Sequence, residues 1–469
     1  MQREKRTNIP NNGQVEIQFT PKSITAWGGT ASIIAQFINK IGLQKFITET
    51  FPFEETSNNS TGIYGKLIST FITILNNGSK FSHMQYWGDS REIFQRCFNI
   101  EKLPKSSSSL TRFWNNFNTY SYSEKLRDYF VKLAFNIINH SNIKSDSLRF
   151  DSTVLTRYGK QEGAKRGYNP RKKGRPSHQP QLAFLGCGYT ANLWNRSGNI
   201  SSGNGIIEFF KQTVSYMLDI KIERVLADSG YYNIHFIKHL EENGHEYVIS
   251  APVYGIIQKK IYGLTNWSEV CDGIETSEFY FQHQDEKWEK ERRYVVIRQE
   301  IKVRPEAPGK QLTIFKELDG VVSHRHSLMI TNNENDDPHT IWNHYKPRAN
   351  DENIIGNLKE GFGFSSYNMN NFWATESILA AICLLYHNLI TYLMLYVIQS
   401  KHPRQTLKTT RMKYLIIPAI MGKSGRKDVL RLGIRDKARK KLILQMLEKI
   451  RITTLIFDCN AFGQYYCSK

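Results

Sequence analysis

The sequence predicts a mixed α/β fold: a sheet layered by helices, preceded by a helical region and followed by a basic one. Three observations carry that reading. Between about 146 and 249, short apolar runs alternate with helical periodicities in the order strand, hairpin, helix, strand, helix, strand. Upstream, apolar residues recur at helical spacing. Downstream, residues 255–335 break the rhythm with further strand-like runs before a long helical stretch resumes. With 469 residues, 40% hydrophobic and 12% aromatic, the chain can bury a sizeable core spread over several domains.

Residues 1–22 read as a polar lead-in, and Met1 to Gln14 contain no apolar run of the signal-peptide kind. Ile33, Ile34, Phe37, Ile38 and Ile41 then line one helical face, ended by Gly42. A second helix over about 63–76 rests on Leu67, Ile68, Phe71, Ile72 and Leu75. Ser106 to Ser109 precede Leu110-Thr111-Arg112-Phe113-Trp114, a serine cap ahead of a helix over 106–117. The region 1–140 reads as a packing domain or as a reader of DNA ends; no helix-turn-helix pattern separates the two.

The α/β core is expected in two parts, 141–254 and 336–400. Leu148, Phe150, Val154 and Leu155 surround Asp151 in a strand, and a loop kept non-helical by Gly163, Gly167, Pro170, Gly174 and Pro176 follows. Leu182 to Tyr189 and Ala191 to Trp194 read as a hairpin, closed by Ser197-Gly198-Asn199. A helix over 205–217 leads to a strand, Ile222 to Ala227, that ends at Asp228-Ser229-Gly230. A helix over 232–243 stops at Gly244, before a strand at Tyr247-Val248-Ile249. Residues 255–335 form a β-rich insertion with strands at Arg293 to Arg298, Gln311 to Phe315 and His326 to Ile330. The segment Ile378 to Ile398 is apolar enough to suggest a membrane span, but Glu376, His387 and Asn388 interrupt its helix and favour a buried core helix.

Lys plus Arg number 63 against 43 Asp plus Glu, a formal net charge of +20, which favours a polyanionic partner, nucleic acid ahead of an acidic membrane surface. Two segments concentrate it. The loop after Asp151 carries Arg157, Lys160, Lys165, Arg166, Arg171, Lys172, Lys173 and Arg175 against one acid, Glu162. A grip on DNA backbone explains this better than a solvated loop. Residues 401–451 of the basic C-terminal region (401–469) hold 16 Lys or Arg against Asp428, Asp436 and Glu448. There Leu442, Ile443, Met446, Leu447 and Ile450 make an amphipathic helix, suited to DNA contact or dimerisation. Cys97, Cys187, Cys271, Cys383, Cys459 and Cys467 include no CxxC pair, which speaks against zinc and fits reduced thiols in the cytosol.

The chemistry is read from Tyr345, Arg348, Glu352 and Lys359, spaced Tyr-x2-Arg-x3-Glu-x6-Lys. At about 100° per residue, Arg348, Glu352 and Lys359 fall within an arc of about 40°, so one helical face presents a carboxylate between two cations. Pro347 belongs in a first helical turn, which leaves Tyr345 at or before the helix start, and Gly356 weakens the helix by about 1 kcal/mol relative to alanine. One carboxylate cannot hold a catalytic metal pair; Asp151 and Asp228 are the candidates to complete it. Phosphodiester cleavage needs an activated nucleophile held in line and a neutralised leaving oxygen. Two Mg²⁺ ions about 4 Å apart on oxygen ligands meet those needs. Asp151 within a strand is costly without a partner or a metal. Asp228 before Ser-Gly also reads as a turn or cap, and Glu352 also reads as a solvated acid.

Several blocks resemble a known family. Asp151-Ser152-Thr153, Arg157-Tyr158-Gly159, the run from Gly163 to Pro170, and Gly174-Arg175-Pro176-Ser177-His178 look like the first-Asp block of DDE-type bacterial insertion-sequence transposases, nearest the insertion sequence thirteen-eighty family. Ala227-Asp228-Ser229-Gly230-Tyr231-Tyr232 resembles the second-Asp block, and Tyr345 to Lys359 the third-acid signature of the broader cut-and-paste group. The resemblance covers about 145–390, and both ends more loosely. It implies an RNase H-like core in which Asp151, Asp228 and Glu352 bind two Mg²⁺ (Mn²⁺ substituting), with Tyr345, Arg348 and Lys359 on DNA phosphates near the scissile end. It also implies the β-strand insertion, a homodimer on double-stranded DNA, and an aromatic that receives a flipped base. Trp288, and more weakly Trp267, are the candidates for that aromatic, against the alternative of ordinary packing. His178 reads as structural or as a phosphate contact. The rival readings are a non-catalytic DNA-binding derivative and a structure-specific nuclease without strand transfer.

Overall fold

The computed structural model describes residues 19–55, 60–300, 324–399 and 405–459. The strand expected at 311–315 lies outside them, as do Cys467 and the first residues of the lead-in. Nine strands form one mixed sheet: β1 (Ser145–Ser152), β2 (Gln181–Leu185), β3 (Thr190–Trp194), β4 (Lys221–Ala227), β5 (Tyr247–Ala251), β6 (Ser268–Cys271), β7 (Ile274–Phe281), β8 (Arg292–Glu300) and β9 (His324–Thr331). Their order is β6-β7-β8-β9-β5-β4-β1-β2-β3. Strand β1 runs parallel to β4, and β4 parallel to β5; β2 and β3 are antiparallel neighbours on one side. The order β3-β2-β1-β4-β5 with this polarity is that of an RNase H-like core. The strands of 255–335 do not form a separate layer: β9 pairs with β5, and the antiparallel meander continues the same sheet.

The central strands are apolar because both faces are covered. Leu148, Phe150, Val225, Ala227, Tyr247 and Ile249 are buried, and Phe150 meets the rings of Phe209, Phe210 and Phe236 from the helices Ile206–Ser215 and Ile234–Glu242. Behind the other edge lies the helical stretch Phe372–Ile398. Among the described residues it is the one helix long and apolar enough to cross a membrane, with a mean hydropathy of 1.9, and 89% of its apolar window is buried in the protein. Its polar interruptions bind other elements. Asn388 accepts from the Thr190 N–H (2.9 Å) and donates to the Thr190 carbonyl (2.8 Å), satisfying edge strand β3. Glu376 is buried and accepts from Arg127 (3.0 Å) and the Asn195 N–H (2.8 Å).

Arg127 lies on Tyr120–Asn139, the longest N-terminal helix, which is not among the expected elements. Thr119 caps it, and Leu126, Phe130, Leu133, Ala134, Ile137 and Ile138 form its buried row. The expected helices near 33, 63 and 107 are present, but no serine side chain caps Ser107–Asn115. Near the C-terminus, the hairpin Ala419–Ser424/Lys427–Leu432 pairs with Ile24–Thr25 and closes the two ends of the chain on each other. The helix Lys437–Ile452 buries Ile443, Met446 and Ile450, whereas Leu442 is exposed.

Candidate active site

Asp151 and Asp228 meet because of strand register. Phe150 of β1 lies opposite Ala227 of parallel β4, so the next residue on each side is an aspartate at the carboxyl end of its strand. That end is where open α/β sheets bind ligands. Asp228 caps the turn Ser229–Tyr231 by accepting from the Gly230 N–H (2.9 Å), so the candidate site residue is also a cap. Asp151 accepts from the Ser152 N–H (2.7 Å) and is buried.

The segment that faces them is not one helix. Pro338–Tyr345 is followed by a 3₁₀ turn, Lys346–Ala349, and then by the helix Asn350–Gly361. Tyr345 therefore closes a preceding helix, Arg348 sits on the turn, and only Glu352 and Lys359 share a helical face. The separation into elements follows Pro347, whose missing N–H tightens the turn. Arg348 Nη2 reaches Asp151 Oδ2 at 3.0 Å and Asp228 Oδ2 at 3.4 Å. The Tyr345 hydroxyl donates to the Ala227 carbonyl (3.3 Å), and Lys359 donates to the Val154 carbonyl (3.2 Å). Three residues of the spacing thus touch the ends of β1 and β4 or the chain just beyond them. Glu352 is exposed and borders a cleft with Asn350, Asn353 and Gly356.

Burial pushes the Asp151 carboxyl up to about 6; Arg348 pulls it down, while Asp228 and, more weakly, Glu352 push it up. Burial opposes the charge of Arg348, but Asp151, Tyr345 and Asp228 outweigh it and hold the guanidinium above its ordinary value. Burial and the nearby Arg171 lower Lys359. Burial raises the Tyr345 phenol to about 12. The donor chemistry suits a hard cation: two carboxylates need positive charge between them, and Arg348 supplies it here. Among the described residues no three acidic, histidine or cysteine side chains are gathered closely enough to hold a metal ion. A third ligand requires Glu352 to turn inward.

Two residues that the sequence reading did not single out fix this geometry. Arg149, on β1, and Asp351 are both fully buried and pair at 3.1 Å. Arg149 also donates to the carbonyls of Pro347 and Leu185, both at 2.9 Å. It thereby ties the turn that bears Arg348, and the first turn of the Glu352 helix, to the strand that bears Asp151. The signal was present: Arg149 stands two residues before Asp151, so both side chains share one face of β1.

The segment after Asp151 is a small three-stranded sheet, Leu155–Thr156, Lys165–Arg166 and Pro176–His178, and not a plain loop. Lys165, Arg166, Lys172, Lys173 and Arg175 are exposed on it. Arg157 is placed otherwise. It is buried, donating to His178 Nδ1 (3.2 Å) and the Ser365 carbonyl (2.9 Å), so it anchors the sheet and presents no charge to a ligand. His178 is structural; its other nitrogen meets the Glu162 carbonyl (2.9 Å), and burial with Arg157 holds it down to about 4. Trp288 is also buried, stacked on Tyr232 at 5.4 Å and against His283 at 4.3 Å, so packing takes the ring face that a flipped base would need. Trp267 has the Arg298 guanidinium over its ring at 4.1 Å.

Fold and site together define an RNase H-like protein with paired acids at the carboxyl ends of adjacent parallel strands. The family described as "Transposase DDE domain group 1" matches residues 7–454, and the chain belongs to that family of DNA transposases. No curated protein matches it. Among solved structures it is similar to piggyBac transposase in a cryo-EM synaptic complex with hairpin DNA, at 11% identity and a TM-score of 0.41, over 94% of this chain and 81% of that one.

Proposed function

We propose that this transposase is a cut-and-paste enzyme of the insertion sequence thirteen-eighty group. It binds the terminal inverted repeats of its own element as a homodimer on double-stranded DNA. Water attacks the phosphodiester at each end, the 3′ oxygen leaves, and the freed 3′-hydroxyl then attacks a target phosphodiester and displaces the target's 3′ oxygen. Asp151, Asp228 and Glu352 are the acids that hold the metal ions. Two Mg²⁺, or Mn²⁺, would supply Lewis acidity at the attacking and leaving oxygens. Arg348 keeps the two aspartates oriented and offers its remaining donors to a phosphate; Lys359 and Tyr345 border the same place. Lys165, Arg166, Lys172, Lys173 and Arg175 hold the DNA backbone.

The observation that supports this most is the convergence of Asp151 and Asp228 on Arg348, on the turn just before the helix that carries Glu352. The test is cleavage of labelled DNA carrying the element's ends, with Mg²⁺ or with EDTA, by wild type and Glu352→Ala. Metal-dependent nicking at the ends, lost in Glu352→Ala while binding persists, is expected. Binding without cleavage by wild type in both Mg²⁺ and Mn²⁺ would replace this reading with that of a DNA-binding derivative. Nicking without strand-transfer products would replace it with that of a nuclease.

A further inference from the structure

We propose that the small sheet beside Asp151 is a binding site for unpaired nucleotides, with Tyr158 and Tyr168 as the surfaces on which bases stack. The inference rests on the DNA-processing reading above and adds the form of DNA that this part of the site takes.

The sheet is built to hold its shape. The buried Arg157 and His178 fix its base, and Asn169 bonds Thr156 Oγ1 (3.0 Å) and the Lys172 N–H (3.1 Å) across it. A Cβ at Gly167 would lie 1.9 Å from the Gly198 carbonyl oxygen, so the tip is pressed against the neighbouring turn and only glycine fits there. The one acid of the segment, Glu162, is exposed but engaged: its carboxylate accepts from Asn371 (2.7 Å) and the Phe372 N–H (3.1 Å). Six exposed cations outnumber it: Lys165, Arg166, Arg171, Lys172, Lys173 and Arg175.

Among these cations Tyr158 and Tyr168 are 73% and 74% exposed. Neither hydroxyl is hydrogen-bonded to a described residue, and the Arg175 guanidinium lies over the Tyr158 ring at 6.0 Å. A paired duplex presents phosphates outward and keeps its base faces stacked inside, so cations alone suffice to hold it. Two exposed rings add nothing to that grip. They match ligands whose base faces are open, and a cationic groove with aromatic platforms is the usual construction for single-stranded nucleic acid. The sheet begins directly after Asp151, so such nucleotides would lie beside the candidate cleavage site.

The test uses the full chain, EDTA and a generic fluorescent duplex, either fully paired or carrying several unpaired nucleotides at one end, followed by anisotropy. EDTA and the generic sequence keep the result separate from any failure to cleave or to recognise ends. Wild type should prefer the unpaired-end probe. Tyr158→Ala and Tyr168→Ala should each weaken that probe's binding about tenfold and leave the paired duplex unchanged, while the phenylalanine variants bind like wild type. Lys172→Ala with Lys173→Ala should weaken both probes and lower the salt slope by about one per lost phosphate contact. No preference in wild type, or a preference that survives the double alanine variant of the tyrosines, would overturn the proposal. Both tyrosines are surface residues, so the variants should fold.

Discussion

Arg149 and Arg348 both border the candidate site, and each pairs with an aspartate. Arg149 and Asp351 are wholly buried at 3.1 Å, and the remaining donors of Arg149 meet two backbone carbonyls. Arg348 lies at the rim, 13% exposed, shared between Asp151 at 3.0 Å and Asp228, which is 34% exposed, at 3.4 Å; its buried Nε has no hydrogen-bond partner among the described residues. The same pair of residue types therefore serves two ends. In the interior an unpaired charge is so costly that the pair behaves as a fixed joint. At the rim, water and a ligand can take the place of either partner, so the pair can be exchanged.

The largest effect expected is chemical. Asp151→Asn should reduce end cleavage at least about a thousandfold, roughly 4 kcal/mol of barrier, with an unfolding midpoint near that of wild type; the cleavage assay and a urea titration read the two separately. If cleavage persists, the rim aspartates are structural, as Asp351 is, and the contrast collapses. Next comes Arg149→Ala, which removes the buried cation paired with Asp351 and should cost about 3–5 kcal/mol in urea unfolding. Arg157 supplies an intermediate case, an arginine buried like Arg149 but donating to a neutral histidine. His178 is held near 4, below its unfolded value, so the stability it contributes is complete above about pH 6.5 and is lost as pH falls toward 4. At pH 5 that loss should be about 2 kcal/mol, and His178→Gln should flatten the difference between urea midpoints at pH 7 and pH 5. The smallest effect should be that of Arg348→Ala on stability, about 1 kcal/mol at pH 7, because Asp228 is open to water and the Asp151 carboxyl, already raised to about 6, can take up a proton. A cost equal to that of Arg149→Ala would show that the rim pair is as fixed as the buried one.

The same contrast marks what the sequence could show. Asp151 and Asp228 were legible because strand ends and turn residues are local signals, and the spacing from Tyr345 to Lys359 is read directly. The break at Lys346–Ala349 was only half legible: Pro347 announced a turn, but the preceding helix Pro338–Tyr345, capped by Asp337, was hidden by its polar face. Arg157 and Trp288 stood among the candidates for DNA contact, Trp288 against the alternative of ordinary packing. Charge and aromaticity say what a side chain can bind, whereas burial depends on distant partners such as Ser365 and Tyr232. The hairpins Ser268–Cys271/Ile274–Phe281 and Ala419–Ser424/Lys427–Leu432 escaped for a related reason. Their strands are mixed in polarity because one face of each is open, and their place is set by pairing.

The pairing of Ile24–Thr25 with the hairpin at 419–432 has a consequence for synthesis. Further along, the Phe457 N–H donates to the Ile41 carbonyl (2.9 Å), and the Phe457 ring packs on Phe46 at 4.9 Å. The helices around residues 35–50 are therefore completed by residues that leave the ribosome far later. Domains that fold as they emerge do so from the N-terminus onward. This chain has to wait, and a product ending before about residue 420 would lack the strand and ring that close its opening region. Assembly of the early helices is in this way tied to translation of the segment that carries the hairpin and Phe457.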